Sequence, residues 1–151
     1  MVNINLFGGP SSGKSTSAFE LFPKMKKHGY RVEFVPEYAK ELTYGKDFTK
    51  LSDQLLILGE QHHRLFRLTD KVDMVIHDSP FVMGLVYLAD DAHLPRKEYR
   101  KLVVKMFKSY ENFNIFIERD DSTYQDYGRT QTLEQCKDKD KQIKKLLDDE
   151  G

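Results

Sequence analysis

Apolar residues along this chain fall into short runs separated by longer mixed stretches. Val2, Ile4, Leu6 and Phe7 make the first run, which ends at Gly8-Gly9. Residues 31–35, closed by Pro36, residues 74–77 and residues 113–117 make three more. Runs this short, rich in Val, Ile and Phe and bounded by Gly, Pro or Asp, predict β-strands. Between them the apolar spacing widens to that of a helix. A helix is predicted from residue 15 to about 27, with Phe19, Leu21, Phe22 and Met25 as its apolar content. Pro23 should kink it or end its regular part, and His28-Gly29-Tyr30 stops it. A long helix is predicted from about residue 51 to 69, with Leu51, Leu55, Leu58, His62 and Leu65 on one face. A short helix over 81–88 follows Asp78-Ser79-Pro80. A helix over 96–109 turns Leu102, Val103, Met106 and Phe107 inward, and a final helix covers about 132–149.

Strands that alternate with helices predict an α/β fold: a parallel sheet of four visible strands with helices on both faces. Right-handed crossovers then bring every strand's carboxyl end to one edge of the sheet. At 151 residues with no repeat, linker or low-complexity segment, the expectation is a single domain over 1–151.

The first loop carries the clearest chemistry. Gly8-Gly9-Pro10-Ser11-Ser12-Gly13-Lys14-Ser15-Thr16 has the spacing G-x-x-x-x-G-K-S, with a strand before it and a helix after it. In such a phosphate-binding loop the glycines let successive N–H groups turn inward around phosphate oxygens, and the helix N-terminus adds its positive end. Lys14 is expected to reach the β- and γ-phosphates, and Ser15 to offer its hydroxyl to Mg²⁺. Residues 8–16 are therefore the predicted ATP site.

Other candidates follow from their places at strand ends. Asp78 closes the third strand, where an aspartate holds Mg²⁺; before Ser-Pro it also suits capping the following helix, a compatible reading, and the phosphate loop favours the metal or catalytic role. Glu37 lies just past the second strand, where a carboxylate can take the proton of an attacking hydroxyl, or complement a helix dipole. Arg129, in a charged and tyrosine-rich segment between the fourth strand and the last helix, is placed to close over a triphosphate and stabilise charge. Arg119 and Lys139 are weaker candidates for that work. Gln54 and Gln61 lie seven apart on the long helix, hence on one face, and a glutamine amide can read a base edge. His62 and His63 lack a third metal ligand and read as solvated or core histidines. Tyr38, Tyr44, Tyr87, Tyr124 and Tyr127 are aromatic groups able to stack on a base.

Composition adds mainly exclusions. Twenty-four basic and 24 acidic residues cancel, so no global charge points to nucleic acid. Cys136 is the one cysteine, which leaves no internal disulfide and no cysteine-based zinc site. No apolar run approaches the ~18 residues of a membrane span, and the first strand is too short for a signal peptide, so a cytoplasmic protein with no membrane partner is expected.

Taken together, the phosphate loop, the Pro36-Glu37-Tyr38-Ala39-Lys40-Glu41 segment, the helix bearing Gln61 and Gly128-Arg129-Thr130-Gln131 resemble small P-loop kinases. The resemblance is to the ribosylnicotinamide-kinase-like and phage "AAA-ATPase-like" group, and more distantly to deoxynucleoside kinases. It implies a kinase-type P-loop NTPase fold with a lid at about 119–132, and a glutamate base after the second strand. It also implies a helix glutamine that contacts the nucleobase, which assigns Glu37, Tyr38 and Gln61 to the acceptor. Some phage members phosphorylate hydroxymethylated uracil within DNA, so the resemblance extends to a phage origin, in a host cytoplasm, and to DNA as acceptor. Two departures stand out. His77-Asp78-Ser79-Pro80 occupies the place of the deoxynucleoside kinases' Glu-Arg-Ser, and the family's fifth strand has no counterpart before Gly151.

The resulting expectation is an ATP- and Mg²⁺-dependent kinase that phosphorylates a hydroxyl of a nucleoside- or nucleotide-like acceptor. Lys14, Glu37, Asp78 and Arg129 would be its catalytic groups, and Ser15 with Asp78 its metal ligands. The alternatives are a kinase acting on a hydroxymethylated base within DNA, and a P-loop ATPase or nucleotide-binding regulatory protein.

Overall fold

The strands β1 (Val2–Phe7), β2 (Val32–Val35), β3 (Met74–His77) and β4 (Glu111–Phe116) form one parallel sheet in the order β2-β3-β1-β4. The phosphate loop therefore leaves from an inner strand, and its neighbour β3 delivers Asp78 beside it. This arrangement comes from a computed structural model that describes residues 1–88, 93–120 and 132–150. The helices are α1 (Lys14–Lys27), α2 (Tyr38–Tyr44), α3 (Phe48–Ser52), α4 (Gln54–Phe66), α5 (Gly84–Tyr87), which follows a 3-10 turn over Phe81–Met83, α6 (Arg96–Lys108) and α7 (Leu133–Glu150).

Strand alternation divides the interior into two layers. Ile4, Leu6, Val32 and Ile76 pack with Ala18, Leu21, Phe22 and Met25 of α1 on one face. Phe7, Val35 and Val75 meet Leu58 and Leu65 of α4, Val103 and Phe107 of α6, and Ile143 and Leu146 of α7 on the other. That second face also buries Asn3, Asn5 and His77. Asn5 Nδ2 donates to Asn112 Oδ1 and Asn114 Oδ1, both at 2.9 Å, tying the inner strand to β4 by side chains as well as backbone.

Several local expectations need correction. The predicted helix over 51–69 is two helices: Asp53 caps α4 by accepting from Leu55 N and Leu56 N, which breaks the run after Ser52. The buried face of α4 is Gln54, Leu58, Gln61 and Leu65, while Leu55 is 52% exposed. The face is rotated because Gln54 and Gln61 find hydrogen-bond partners inside, so they take the places expected for Leu55 and His62 in the buried stripe. In α6 Tyr99 joins Val103 and Phe107 inside and Leu102 lies outside. Helix α1 continues past Pro23 to Lys27; the proline removes one N–H, and Phe22 and Met25 still pack on either side of it. The segment after Pro36, left without an element by the sequence pattern, is helix α2.

Candidate functional site

The phosphate loop closes on itself as its glycines require. Gly8 has φ 146° and Gly13 φ 94°, both in the region that favours glycine, and a Cβ on Gly8 would lie 2.5 Å from Ser12 Oγ. Lys14 is buried, and its Nζ donates to the carbonyls of Gly8 (2.8 Å) and Gly9 (2.9 Å). The first turn of α1 follows directly, where helix geometry leaves N–H groups without intrahelical partners.

Asp78 is 4% exposed. Ser15 Oγ donates to its Oδ2 at 2.5 Å, while Oδ1 is buried with no hydrogen-bond partner among the described residues. The helix-cap alternative for Asp78 is not what the structure shows, since Pro80 occupies the cap position of the next turn. A buried carboxylate oxygen with an unmet lone pair, beside a serine hydroxyl, is a donor set of the hard-oxygen type that Mg²⁺ takes. Among the described residues no group of three or more His, Cys, Asp or Glu side chains could hold a metal, so such an ion would draw its remaining ligands from phosphate and water.

Beside this loop lies a cavity of about 280 Å³. Pro10 and Lys14 form its phosphate-loop end, Glu37, Lys40 and Thr43 one wall, and Gln54, Ile57 and Gln61 another, with Pro80, Phe81, Met83 and Tyr87 opposite. Each wall has a local reason. Residues 37, 40 and 43 recur every three along the start of α2, and 54, 57 and 61 recur at helical spacing along α4. Glu37 stands at the N-cap position of α2 without a side-chain cap bond, and it lines the cavity. Tyr99 fixes the start of α4 by donating to Gln54 O at 2.9 Å; burial first, and the Asp53 carboxylate second, push its phenol up to about 12.

The predicted acceptor residues separate here. Glu37 and Gln61 line the cavity; Tyr38 does not, and its ring lies 4.9 Å from the Arg64 guanidinium carbon. Arg64 in turn is paired with Glu41 at 2.6 Å. Gln61 is 3% exposed and its amide is committed to backbone: Oε1 accepts from Tyr38 N at 3.0 Å, and Nε2 donates to Pro36 O and Ser79 O, each at 3.2 Å. It therefore fastens the carboxyl ends of β2 and β3 together, and Gln54 is the glutamine with amide capacity left for the cavity. Arg129, Tyr124, Tyr127 and most of the predicted lid lie outside the described residues. His62 packs among Phe66, Phe81 and Tyr110, with Nε2 3.1 Å from Tyr110 Oη, and burial followed by its neighbour His63 lowers its pKa.

Sequence reasoning undervalued Arg119 and missed Asp140. Arg119 Nε donates to Asp140 Oδ2 at 2.7 Å, and Gly9 N donates to Asp140 Oδ1 at 2.6 Å, so α7 is bonded to the phosphate loop. The two terminal guanidinium nitrogens of Arg119 are buried without a hydrogen-bond partner among the described residues. Lys139, one residue earlier, serves α5: it donates to Val86 O at 2.8 Å and stands over the Tyr87 ring. No sequence signal singles out Asp140 among the alternating charges of α7.

A family model described as an AAA domain matches residues 3–151. The chain belongs to this AAA-domain family. No curated protein matches it. Among solved structures, this AAA-domain chain is similar to deoxyadenosine kinase from M. mycoides with the products dCMP and a flexible dCDP bound, at 16% identity and a TM-score of 0.63. It is also similar to that kinase with bound dATP, at 19% identity and a TM-score of 0.57. Each comparison covers 97% of this chain and 84% of the other. The AAA-domain chain thus has the kinase-type P-loop fold, with a parallel four-stranded sheet flanked by helices.

Proposed function

We propose that this chain is a kinase that transfers the γ-phosphate of ATP to a hydroxyl of a nucleoside- or nucleotide-like acceptor. The observation that carries this reading is the cavity that Lys14 and Glu37 line together: an acceptor-sized space opening onto the phosphate loop with a carboxylate in its wall. A nucleotide switch that only hydrolyses ATP has no use for such a partly apolar chamber. The backbone N–H groups of residues 8–16 would cradle the phosphates, and Lys14 would exchange the carbonyls of Gly8 and Gly9 for phosphate oxygens. Glu37 would accept the proton of the acceptor hydroxyl as its oxygen bonds to the γ-phosphorus and the bond to the ADP oxygen breaks. Ser15 and Asp78 would hold Mg²⁺, which neutralises charge on the β- and γ-oxygens when bound. Arg129 is assigned to charge stabilisation from the segment between β4 and α7. Dependence on ATP assigns the reaction to a cytoplasm, the host's if the chain is phage-encoded.

The test is γ-labelled ATP offered with nucleosides, nucleotides, ribosylnicotinamide and DNA carrying hydroxymethylated bases. Label should move to one acceptor class, and Lys14→Ala should reduce that transfer by about 10²-fold or more with the circular-dichroism spectrum unchanged. Label appearing only as inorganic phosphate, or full transfer by Lys14→Ala, overturns the reading.

A further inference from the structure

Among the described residues, the cations that Lys14, Arg64 and Lys50 bring to this region are paired, and that of Lys40 is not. Lys14 is held by two carbonyls, Arg64 by Glu41 at 2.6 Å and Lys50 by Asp47 at 2.8 Å. Lys40 lines the cavity, is part-buried, and makes no hydrogen bond or ion pair among the described residues. An ammonium carries three donors and no acceptor, and at a wall shared with Leu51, Ile57 and Phe81 those donors are available to an anion that enters the cavity.

Of the other polar groups in the wall, Gln54 offers a neutral amide, and two more are already committed. Thr43 gives its hydroxyl proton to Ala39 O, and Gln61 has given its amide to the backbone. A neutral nucleoside would therefore meet a cation that it cannot neutralise. Lys40 is three residues beyond Glu37, so its Cα stands about 4.5 Å further along the axis of α2 than the Cα of the residue assigned as base. An acceptor that presents its hydroxyl at Glu37 and a negative group farther along would engage both.

We propose that Lys40 selects the acceptor, and that the acceptor bears a phosphate in addition to the hydroxyl that is phosphorylated: a nucleotide, free or within a strand, rather than a neutral nucleoside. This rests on the kinase reading above for the role of Glu37, but its own evidence is the unpaired cation in the cavity.

Binding separates the two. Calorimetry with ADP saturating the phosphate loop would compare the four deoxynucleosides, their 5′- and 3′-monophosphates, and a short deoxyoligonucleotide. At least one phosphate-bearing probe should bind about tenfold or more tighter than its nucleoside, the gain of a charge-assisted hydrogen bond. Lys40→Gln should erase that difference and leave ADP affinity unchanged, and Lys40→Arg should keep most of it. A free monophosphate binding better than the oligonucleotide assigns a small acceptor, and the reverse order assigns a strand; either supports the proposal. Equal binding of nucleosides and their monophosphates, no change in Lys40→Gln, or no binding of any probe overturns it. If the Lys40-dependent preference is found but no label is transferred, the kinase reading fails and this assignment stands. Transfer to a neutral nucleoside with no response to Lys40→Gln does the opposite.

Discussion

Asp140 holds two partners at once: Gly9 N–H on one carboxylate oxygen, at 2.6 Å, and Arg119 Nε on the other, at 2.7 Å. A helix far along the chain thereby fixes the entrance of the phosphate loop. The approach is close enough that a Cβ on Gly9 would lie 2.7 Å from Asp140 Oδ1 and 2.9 Å from the Cys136 carbonyl.

Removing the carboxylate should therefore cost more than an ordinary surface charge. Asp140→Ala would leave a buried guanidinium whose terminal nitrogens have no partner among the described residues, and breaking one side of such a pair costs about 3 kcal/mol or more. A urea midpoint that falls well below wild type, with Asp140→Asn intermediate, is the expected result. An unchanged midpoint in Asp140→Ala means the contact contributes nothing to the loop's stability.

Glu37 and Asp78 have different surroundings and should fail differently. Glu37→Gln should slow phosphate transfer with little change in the concentration of Mg²⁺ needed. Asp78→Asn removes a charge from the buried oxygen pair facing Ser15, and should raise that concentration requirement. Titrating Mg²⁺ under saturating ATP distinguishes the two, and a metal defect at position 37 would reverse the roles.

Gln61 is expected to act through the fold. Its three backbone bonds join β2 and β3 at their carboxyl ends. Gln61→Ala should lower stability by about 2 kcal/mol or more, since it leaves buried backbone groups unpaired. Its effect on turnover should follow that loss, disappearing when the assay temperature is lowered. A variant with wild-type stability and a selective loss of one acceptor base would instead make Gln61 a reader of the base.

His77 gives the protein an acid-sensitive core. It is 1% exposed, neither ring nitrogen has a hydrogen-bond partner among the described residues, and burial pushes its pKa down from 6.5 to about 4. Between those values the unfolded chain binds the proton that the folded chain refuses, so this contribution to stability is complete above pH 6.5 and is lost as pH falls toward 4. The full span corresponds to about 3 kcal/mol. Denaturant midpoints measured from pH 7 to pH 4 should decline more steeply in wild type than in a folded His77→Leu variant. Parallel curves would show that His77 does not titrate on unfolding in this range.

The four strands, the phosphate loop and the placing of Glu37 and Asp78 at strand ends were legible in the chain because each depends on residues adjacent in sequence. An apolar run followed by glycines and Lys14 specifies strand, loop and helix over contiguous residues, and parallel crossovers then send every strand end to the same edge. The sheet order, and the side of each later helix that turns inward, depend on partners many residues away. Apolar periodicity selected Leu51 and Leu55 of the predicted helix, but Asp53 caps a new helix between them and the backbone around Pro36 and Ser79 draws Gln61 inside. Tyr38 looked like a stacking surface, yet Arg64 covers its ring from another helix. Asp140 and Lys40 are charges without a distinguishing local pattern. Packing decides them: α7 presses one against Gly9, and the turn of α2 sets the other in the cavity wall without a partner among the described residues.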